Sequence, residues 1–179
     1  QNKKAYLIKI NGKAVSEASL GKLKNPQLVT EYDGLLYLYD QASGIYKENN
    51  GQFSKIITRT KDWGEIIDLD IFNGNIYLLS QTNDEIYKFT PTEGAYSSKL
   101  SYFQSGQSLD LSQVKNLSID FSIYLLGNRI YKYTSGSRNE FVGSDKLNYS
   151  SIQSLYKNTQ TDYLYLLDTI NNRVIAINE

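Results

Sequence analysis

The chain repeats one short strand-like phrase four times, and this repetition limits the possible folds more than any other feature. The copies are LLYLYD at Leu35–Asp40, NIYLLS at Asn75–Ser80, SIYLLG at Ser122–Gly127 and YLYLLD at Tyr163–Asp168. Tyr37, Tyr77, Tyr124 and Tyr165 mark equivalent positions in them and are separated by 40, 47 and 41 residues. That period is typical of propeller blades and of helical-pair solenoids. The strand-like content of each copy favours blades.

A second strand-like phrase follows each copy. These second phrases are GIYK at Gly44–Lys47, EIYK at Glu85–Lys88, RIYK at Arg129–Lys132 and RVIA at Arg173–Ala176. The connections between the two strands include Ala42–Gly44, Asn83–Asp84 and Asn171–Asn172. Asn, Asp and Gly tolerate the positive φ of tight turns. Each repeat is therefore predicted to contain a β-hairpin.

Two further strands complete each predicted unit. The first strands are Gln27–Tyr32, Ile66–Phe72, Val114–Ile119 and Ile152–Tyr156, and the fourth strands are Phe53–Thr58, Tyr96–Phe103 and Phe141–Gly143. Four antiparallel strands in about 40 to 45 residues make a propeller blade. We predict an all-β fold, a single β-propeller domain over residues 1–179 with about four four-stranded blades. A partial blade at 1–25 precedes blades at about 26–60, 61–105 and 106–145, and a last blade at 146–179.

The N-terminal segment is out of phase with these blades. Tyr6–Val15 matches the third and fourth strands of a blade, whereas the last repeat stops after a third strand at Val174–Asn178. In one arrangement the N-terminal strands complete the last blade and close a four-bladed ring. In the other, the chain is half of a larger ring, completed by more sequence or by a second copy, since an open sheet edge invites pairing. A homodimer is expected in that second case.

Two stretches carry a family resemblance. The phrases at Gly74–Phe89 and Asp162–Asn178 resemble NHL and TolB-like propeller repeats. A longer pattern, through Trp63–Ile66, Asp110–Ser112 and Tyr163–Asp168, is similar to the propeller region of bacterial PPM-type phosphatase-domain proteins. This resemblance implies a sensor domain set apart from the phosphatase across a membrane span. It therefore implies the extracytoplasmic part of a membrane-anchored bacterial protein.

Composition narrows the possible functions. Lys plus Arg and Asp plus Glu number 19 each, so no net positive charge attracts nucleic acid. No run of 18 apolar residues occurs, so we expect no direct membrane insertion. The chain contains no Cys and no His, which removes thiolate chemistry, the commonest general base and the commonest transition-metal ligand. We therefore expect no catalytic residue, no metal, no cofactor and no enzymatic activity.

The candidate binding residues are Trp63, Glu65, Asp68 and Asp110. They lie in or beside the connections into first strands, where the loops of a rigid scaffold carry function. Trp63 is an aromatic residue outside the repeat, which suits a ligand platform or a loop anchor equally. Asp68, with Asp70, is also explained by pairing with backbone N–H groups. Repeated tyrosines are better explained by packing between blades.

The function predicted from these features is a non-catalytic binding, sensing or scaffold module for an unidentified protein, peptide or glycan. One alternative is a hydrolase or lyase that uses strand-end carboxylates, which requires at least two of them to converge in one pocket. Another is a structural blade array that mediates self-assembly.

Overall fold

The structure, a computed structural model, describes residues 4–8, 15–20, 23–107, 109–141 and 147–178, with residues 4–8 and 15–19 described by their backbone. The regular secondary structure of the described residues is β-strand, apart from short 3-10 helices at Lys61–Trp63 and Tyr149–Ser151. The prediction of an all-β, propeller-like fold of four-stranded sheets is confirmed.

Successive blades follow one another along the chain. The first is β3 (Pro26–Tyr32), β4 (Leu35–Asp40), β5 (Gly44–Asn49) and β6 (Gln52–Thr58), preceded by β1 (Lys4–Ile8) and β2 (Val15–Ser19). The second is β7 (Ile66–Phe72), β8 (Asn75–Ser80), β9 (Glu85–Phe89) and β12 (Leu100–Ser101), with a small hairpin of β10 (Pro91–Thr92) and β11 (Ala95–Tyr96). The third is β13 (Asn116–Ile119), β14 (Ile123–Leu126), β15 (Ile130–Thr134) and β16 (Ser137–Asn139). The last contains β17 (Ile152–Tyr156), β18 (Tyr163–Asp168) and β19 (Arg173–Asn178).

Local turn chemistry sets the register within a blade. Asp33 and Asn73 adopt positive φ angles of 54° and 49° in the turns that join first to second strands. Because Asp and Asn tolerate this conformation, the two strands can fold back directly on one another. The second strand then pairs on both sides, and five of the six residues of β8 are buried. Its nearly continuous apolar run is explained by this burial.

Hydrophobic clusters lie between successive blades. Between the first two blades, the Trp63 ring lies 6.4 Å from Tyr39 and 5.2 Å from Phe89, measured between ring centroids. The repeated Tyr77 and Tyr124 are 6% and 1% exposed and belong to the next two clusters. The repeated second-strand tyrosines of the first three blades therefore pack between blades, as one interpretation of the sequence held, whereas Tyr165 of the last blade is half-buried.

The two predicted fourth strands with the weakest sequence patterns were placed wrongly. The chain from Pro91 to Tyr96 makes its own hairpin around Gly94, whose φ is 73°, so the fourth strand of the second blade begins only at Leu100. In the third blade, the tight turn at Ser135–Gly136 starts the fourth strand at Ser137, ahead of the predicted Phe141–Gly143. Residues 142 and 143 of that prediction lie outside the described residues.

The N-terminal strands extend the first blade rather than complete the last one. β1 pairs with β2, and β2 meets the outer strand β6 at Ser19 and Gln52. In the described part of the chain, β19 pairs with β18 alone. The four-bladed ring closed by the N-terminal strands is therefore not formed by these residues. The first strands β3, β7, β13 and β17 lie side by side as an arc.

Candidate functional site

Asp68 and Asp70 link the second blade to the third. Asp68 Oδ2 accepts a hydrogen bond of 2.8 Å from the backbone N–H of Leu117. Asp70 Oδ2 accepts one of 3.2 Å from the N–H of Ile119. Without them, these N–H groups would be open donors on the inner edge of the third blade, and an unpaired backbone donor is costly. The interpretation that these two carboxylates pair with backbone N–H groups is confirmed.

Hydrogen bonds of the same kind join the third blade to the last, but the side chains that accept them are of other residue types. Asn116 Oδ1 accepts from the N–H of Leu155 at 2.9 Å. Ser118 Oγ accepts from the N–H of Lys157 at 3.0 Å and donates to its carbonyl at 2.9 Å. Polar side chains at these positions of the first strands therefore join the second blade to the third and the third blade to the last.

The carboxyl group of Asp70 has an unusual proton affinity. Burial raises its pKa to about 7, with a further increase from the charge of Asp68, although hydrogen bonds from Ile71 and Ile119 oppose the rise. Burial also raises the pKa of Asp68. A carboxyl with a pKa near 7 can accept or release a proton at neutral pH, as general acid–base catalysis requires.

The loops at one end of the second blade form a connected polar surface around the turn of residues 81–84. The side-chain amide of Gln81 donates to the carbonyls of Ser112 and Val114 at 3.0 and 3.2 Å. Asp84 Oδ1 accepts from the N–H of Leu111 at 2.8 Å. These bonds hold the loop that enters the third blade against the turn.

The other side of this turn holds the loop that enters the second blade. The N–H of Glu65 donates to Thr82 Oγ1 at 2.9 Å. Gly64 has a φ of +68°, and a Cβ there would lie 2.4 Å from Thr82 Oγ1. Only glycine allows this close approach. We call the surface formed by residues 62–65, 81–84 and 110–112 the loop face.

The four predicted site residues divide between three environments. Glu65 and Asp110 are exposed on the loop face, on opposite sides of the same turn. Trp63 is 1% exposed and packs beneath that surface. Asp68 lies between first strands and pairs with the third blade. The structure therefore brings two of the four together at the surface.

Three contributors to the loop face were missed as site residues. Asn83 and Asp84 were interpreted only as turn residues, and Gln81 was not considered. Asn83 Nδ2 donates to the carbonyl of Asp62 at 2.8 Å, so these side chains connect segments distant in sequence. The signal available in the sequence was their position directly after β8, where the loops of neighbouring blades meet.

Negative charge predominates on the loop face. Glu65, Asp84 and Asp110 are exposed, and hydrogen bonds from Ser112 lower the pKa of Asp110. Asp62 pairs with Lys99, whose hydrogen bond lowers the pKa of Asp62 to about 2. Among the described residues, no group of three acidic side chains is arranged to hold a metal ion.

No family model and no curated protein matches the chain. Solved structures do match it. A chain from a nidogen/laminin complex shares 18% identity at a TM-score of 0.60, over 99% of this chain and 72% of that one. A gluconolactonase from Xanthomonas campestris shares 11% identity at a TM-score of 0.58, over 86% of this chain and 61% of that enzyme. The extracellular domain of a proposed hybrid two-component system from B. thetaiotaomicron shares 12% identity at a TM-score of 0.54. The match covers 89% of this chain and 22% of that one.

These likenesses establish the propeller fold. They contradict the prediction that the chain is not an enzyme, because a gluconolactonase, an enzyme, shares its fold. The absence of His and Cys was too weak a reason for that prediction, since carboxylates alone can carry acid–base chemistry.

The described residues contain no helix long and apolar enough to cross a membrane. One of the structures that match the fold is an extracellular domain.

Proposed function

We propose that this chain is a propeller recognition module whose loop face binds a cationic segment of a protein or peptide. The observation that carries the proposal is the set of exposed carboxylates, Glu65, Asp84 and Asp110, on a surface held rigid by side-chain hydrogen bonds. A fixed acidic surface attracts a basic partner at little ordering cost.

Substitution of a single carboxylate on the loop face should weaken peptide binding only modestly, because these side chains are exposed to solvent. Asp84 accepts a hydrogen bond from Leu111 in the loop that enters the third blade, whereas Asp110 accepts one from Ser112 within its own loop. Exposed ion pairs contribute about 0.2 to 1 kcal/mol each. Removing the charges of both Glu65 and Asp110 should therefore weaken binding by about 2- to 30-fold and reduce its dependence on salt.

The test is calorimetric titration of a lysine heptapeptide into the wild-type chain and into the variant Glu65→Gln with Asp110→Asn. A glycine–serine heptapeptide controls for binding without charge. Glu93→Gln is a matched control, because Glu93 is exposed in the hairpin turn between β10 and β11, outside the loop face. Equal affinity of the double variant and the wild type for the lysine peptide would refute the proposal.

A second candidate function is hydrolysis, and the raised pKa of Asp70 beside Asp68 favours it. Asp70 would accept and release the proton, and the charge of Asp68 would help to keep the pKa of Asp70 raised. Because one neighbour in fold is a gluconolactonase, the first substrate to test is glucono-δ-lactone. Hydrolysis above the spontaneous rate that is lost in Asp70→Asn supports this candidate, and a rate equal to the spontaneous one excludes hydrolysis of this lactone.

We propose an extracytoplasmic location for the domain, as a sensor of a membrane-anchored bacterial protein of the PPM-phosphatase type. The support is the resemblance of its repeats to such regions and its likeness in fold to one extracellular domain. A compartment-sensitive reporter fused to the domain in its native host would test this, and a cytoplasmic signal would exclude it.

A further inference from the structure

The outer part of the third blade contains a cleft of about 340 Å³. It lies where β15 begins and β16 ends. The third blade has a neighbour on each side, the second blade and the last one, so the cleft is not a sheet face left without a partner. Its volume suits a small molecule. We call it the arginine cleft, and its walls include Arg129, Tyr131, Arg138, Asn139, Glu140 and Phe141.

The two arginines of this cleft differ from the other two arginines of the chain. Arg59 donates a hydrogen bond of 3.0 Å to Tyr39 Oη, and Arg173 donates to an aspartate of its own blade. In the described part of the chain, no hydrogen bond or ion pair engages the guanidinium group of Arg129 or Arg138. Both side chains are exposed. Their charged groups are therefore available to an anion that enters the cleft.

A change of residue type in the third blade explains why Arg129 has no partner. Arg129 stands where Arg173 stands in the last blade, and there Asp168 lies opposite Arg173 and accepts its hydrogen bond at 2.8 Å. Opposite Arg129 is Gly127, whose N–H donates to the Arg129 carbonyl at 2.9 Å. A Cβ at Gly127 would lie 3.3 Å from Tyr131 Cε2. The glycine thus removes the carboxylate and makes room for the aromatic wall of the cleft.

Contacts within the third blade hold the second arginine in place. The Arg138 guanidinium lies over the Tyr131 ring, 5.3 Å from its centroid. Tyr131 Oη donates to Asn128 Oδ1 at 2.6 Å, which fixes the ring. A guanidinium that rests on an aromatic face still presents its N–H groups in the plane that a carboxylate binds. A side chain that is already ordered loses less entropy when it binds a ligand.

The remaining side chains of the cleft limit the kind of anion that it suits. Glu140 lines the cleft together with the two arginines, so these three side chains carry one net positive charge. That balance favours a ligand with a single negative charge over a polyanion. An ionised glutamate only accepts hydrogen bonds, and the amide of Asn139 both donates and accepts them. The rest of the ligand should therefore carry donor groups such as hydroxyls.

We propose that the arginine cleft binds a small hydroxylated monocarboxylate, which is the chemistry of an acidic sugar. The carboxylate would bind Arg129 and Arg138, and a hydroxyl group would donate to Glu140. The site lies outside the loop face and does not depend on the peptide binding proposed there. For a ligand of about 13 non-hydrogen atoms, the dissociation constant should be about 1 mM.

Nuclear magnetic resonance titration of the isotope-labelled chain with sodium glucuronate up to about 20 mM, well above this constant, tests the proposal at fixed sodium concentration. The N–H signals of Gly127 and Asn139 should shift and saturate. In Arg129→Gln with Arg138→Gln the affinity should fall by at least about 10-fold, with unchanged circular dichroism because both side chains are exposed. Lys55→Gln with Lys61→Gln is the matched control, since it removes two exposed positive charges outside the cleft, and it should bind as the wild type does.

Two comparisons separate this ligand from other small molecules. Glucose has a similar ring without the carboxylate and should not shift the cleft signals. Glu140→Gln should weaken the binding of glucuronate but strengthen that of acetate, which has no hydroxyl group and is repelled by the Glu140 charge. If Glu140→Gln strengthens the binding of glucuronate too, the cleft takes simple anions and the proposal is overturned.

Three other results would also overturn the proposal. They are the absence of glucuronate-induced shifts in the wild type, equal affinity of the double arginine variant and the wild type, and equal affinity for glucose and glucuronate. The double arginine variant should bind the lysine peptide as the wild type does, so failure of this site and failure of the loop face are distinguishable.

Discussion

The raised pKa of Asp70 makes the stability of the fold depend on pH in a direction that can be calculated. The folded pKa is about 7, against 3.8 in the unfolded chain. Between these two values the folded chain binds a proton at Asp70 that the unfolded chain does not. The contribution of Asp70 to stability is therefore fully present below about pH 4 and is lost as pH rises to about 7.

The magnitude follows from the difference between the two pKa values. Each pKa unit corresponds to about 1.4 kcal/mol, so the contribution of Asp70 falls by at most about 4 kcal/mol between pH 3 and pH 8. Asp70→Asn removes the titration but keeps an acceptor oxygen. Because one oxygen now serves the N–H groups of both Ile71 and Ile119, the variant should also lose about 1 kcal/mol that does not change with pH.

Urea denaturation from pH 4 to pH 8 measures both the pH-dependent contribution and the constant loss of stability. Unfolding is followed by the fluorescence of Trp63, the single tryptophan, which is buried. The wild type should be the more stable protein at pH 4, and the variant should equal or exceed it at pH 8. Asp33→Asn is the control, because Asp33 is exposed in a turn with positive φ that Asn also tolerates. A stability difference between wild type and Asp70→Asn that is constant across this range would refute the argument.

Three other changes test the fold. Trp63→Ala should lower the free energy of unfolding by about 3 to 5 kcal/mol, because it empties the space between Tyr39 and Phe89. Thermal denaturation followed by circular dichroism measures this loss. A loss below about 1 kcal/mol would contradict the packing of Trp63. Ser118→Ala leaves the buried N–H of Lys157 without its acceptor and should cost about 1 to 3 kcal/mol, whereas an unchanged urea midpoint would show that the bond between these blades contributes nothing. Burial raises the pKa of Asp168, but hydrogen bonds from Asn171, Arg173 and Ser151 outweigh it and lower that pKa to about 2. In urea denaturation at pH 7, Asp168→Asn should therefore be less stable than the wild type. The difference should become small as pH falls from about 4 to about 2. A difference that stays undiminished at pH 2 would show that it does not arise from the lowered pKa of Asp168.

The strands themselves were predictable because their signals are local. β4, β7, β8, β17 and β18 begin and end where the sequence pattern placed them. Their apolar runs and the Asp-Gly and Asn-Gly turns act within about ten residues. The fourth strands were less predictable, since a two- or three-residue edge strand such as Leu100–Ser101 carries almost no pattern of its own.

The candidate site was predictable only in part. The positions of Glu65 and Asp110 ahead of first strands suggested a shared face, and both lie on it. Trp63 could serve a ligand or the core equally well from its sequence, and only its burial against Tyr39 decided for the core.

By itself, the sequence determined the repeat, the hairpins and the all-β propeller, because period, alternation and turn residues are properties of neighbours along the chain. Tertiary structure alone decided the rest. It set the pairing of Asp68 and Asp70 with the third blade, the raised pKa of Asp70 and the attachment of the N-terminal strands to the first blade. Each of these depends on which blade lies beside which, and the contacts join residues far apart in the chain, such as Asp68 with Leu117 and Ser19 with Gln52.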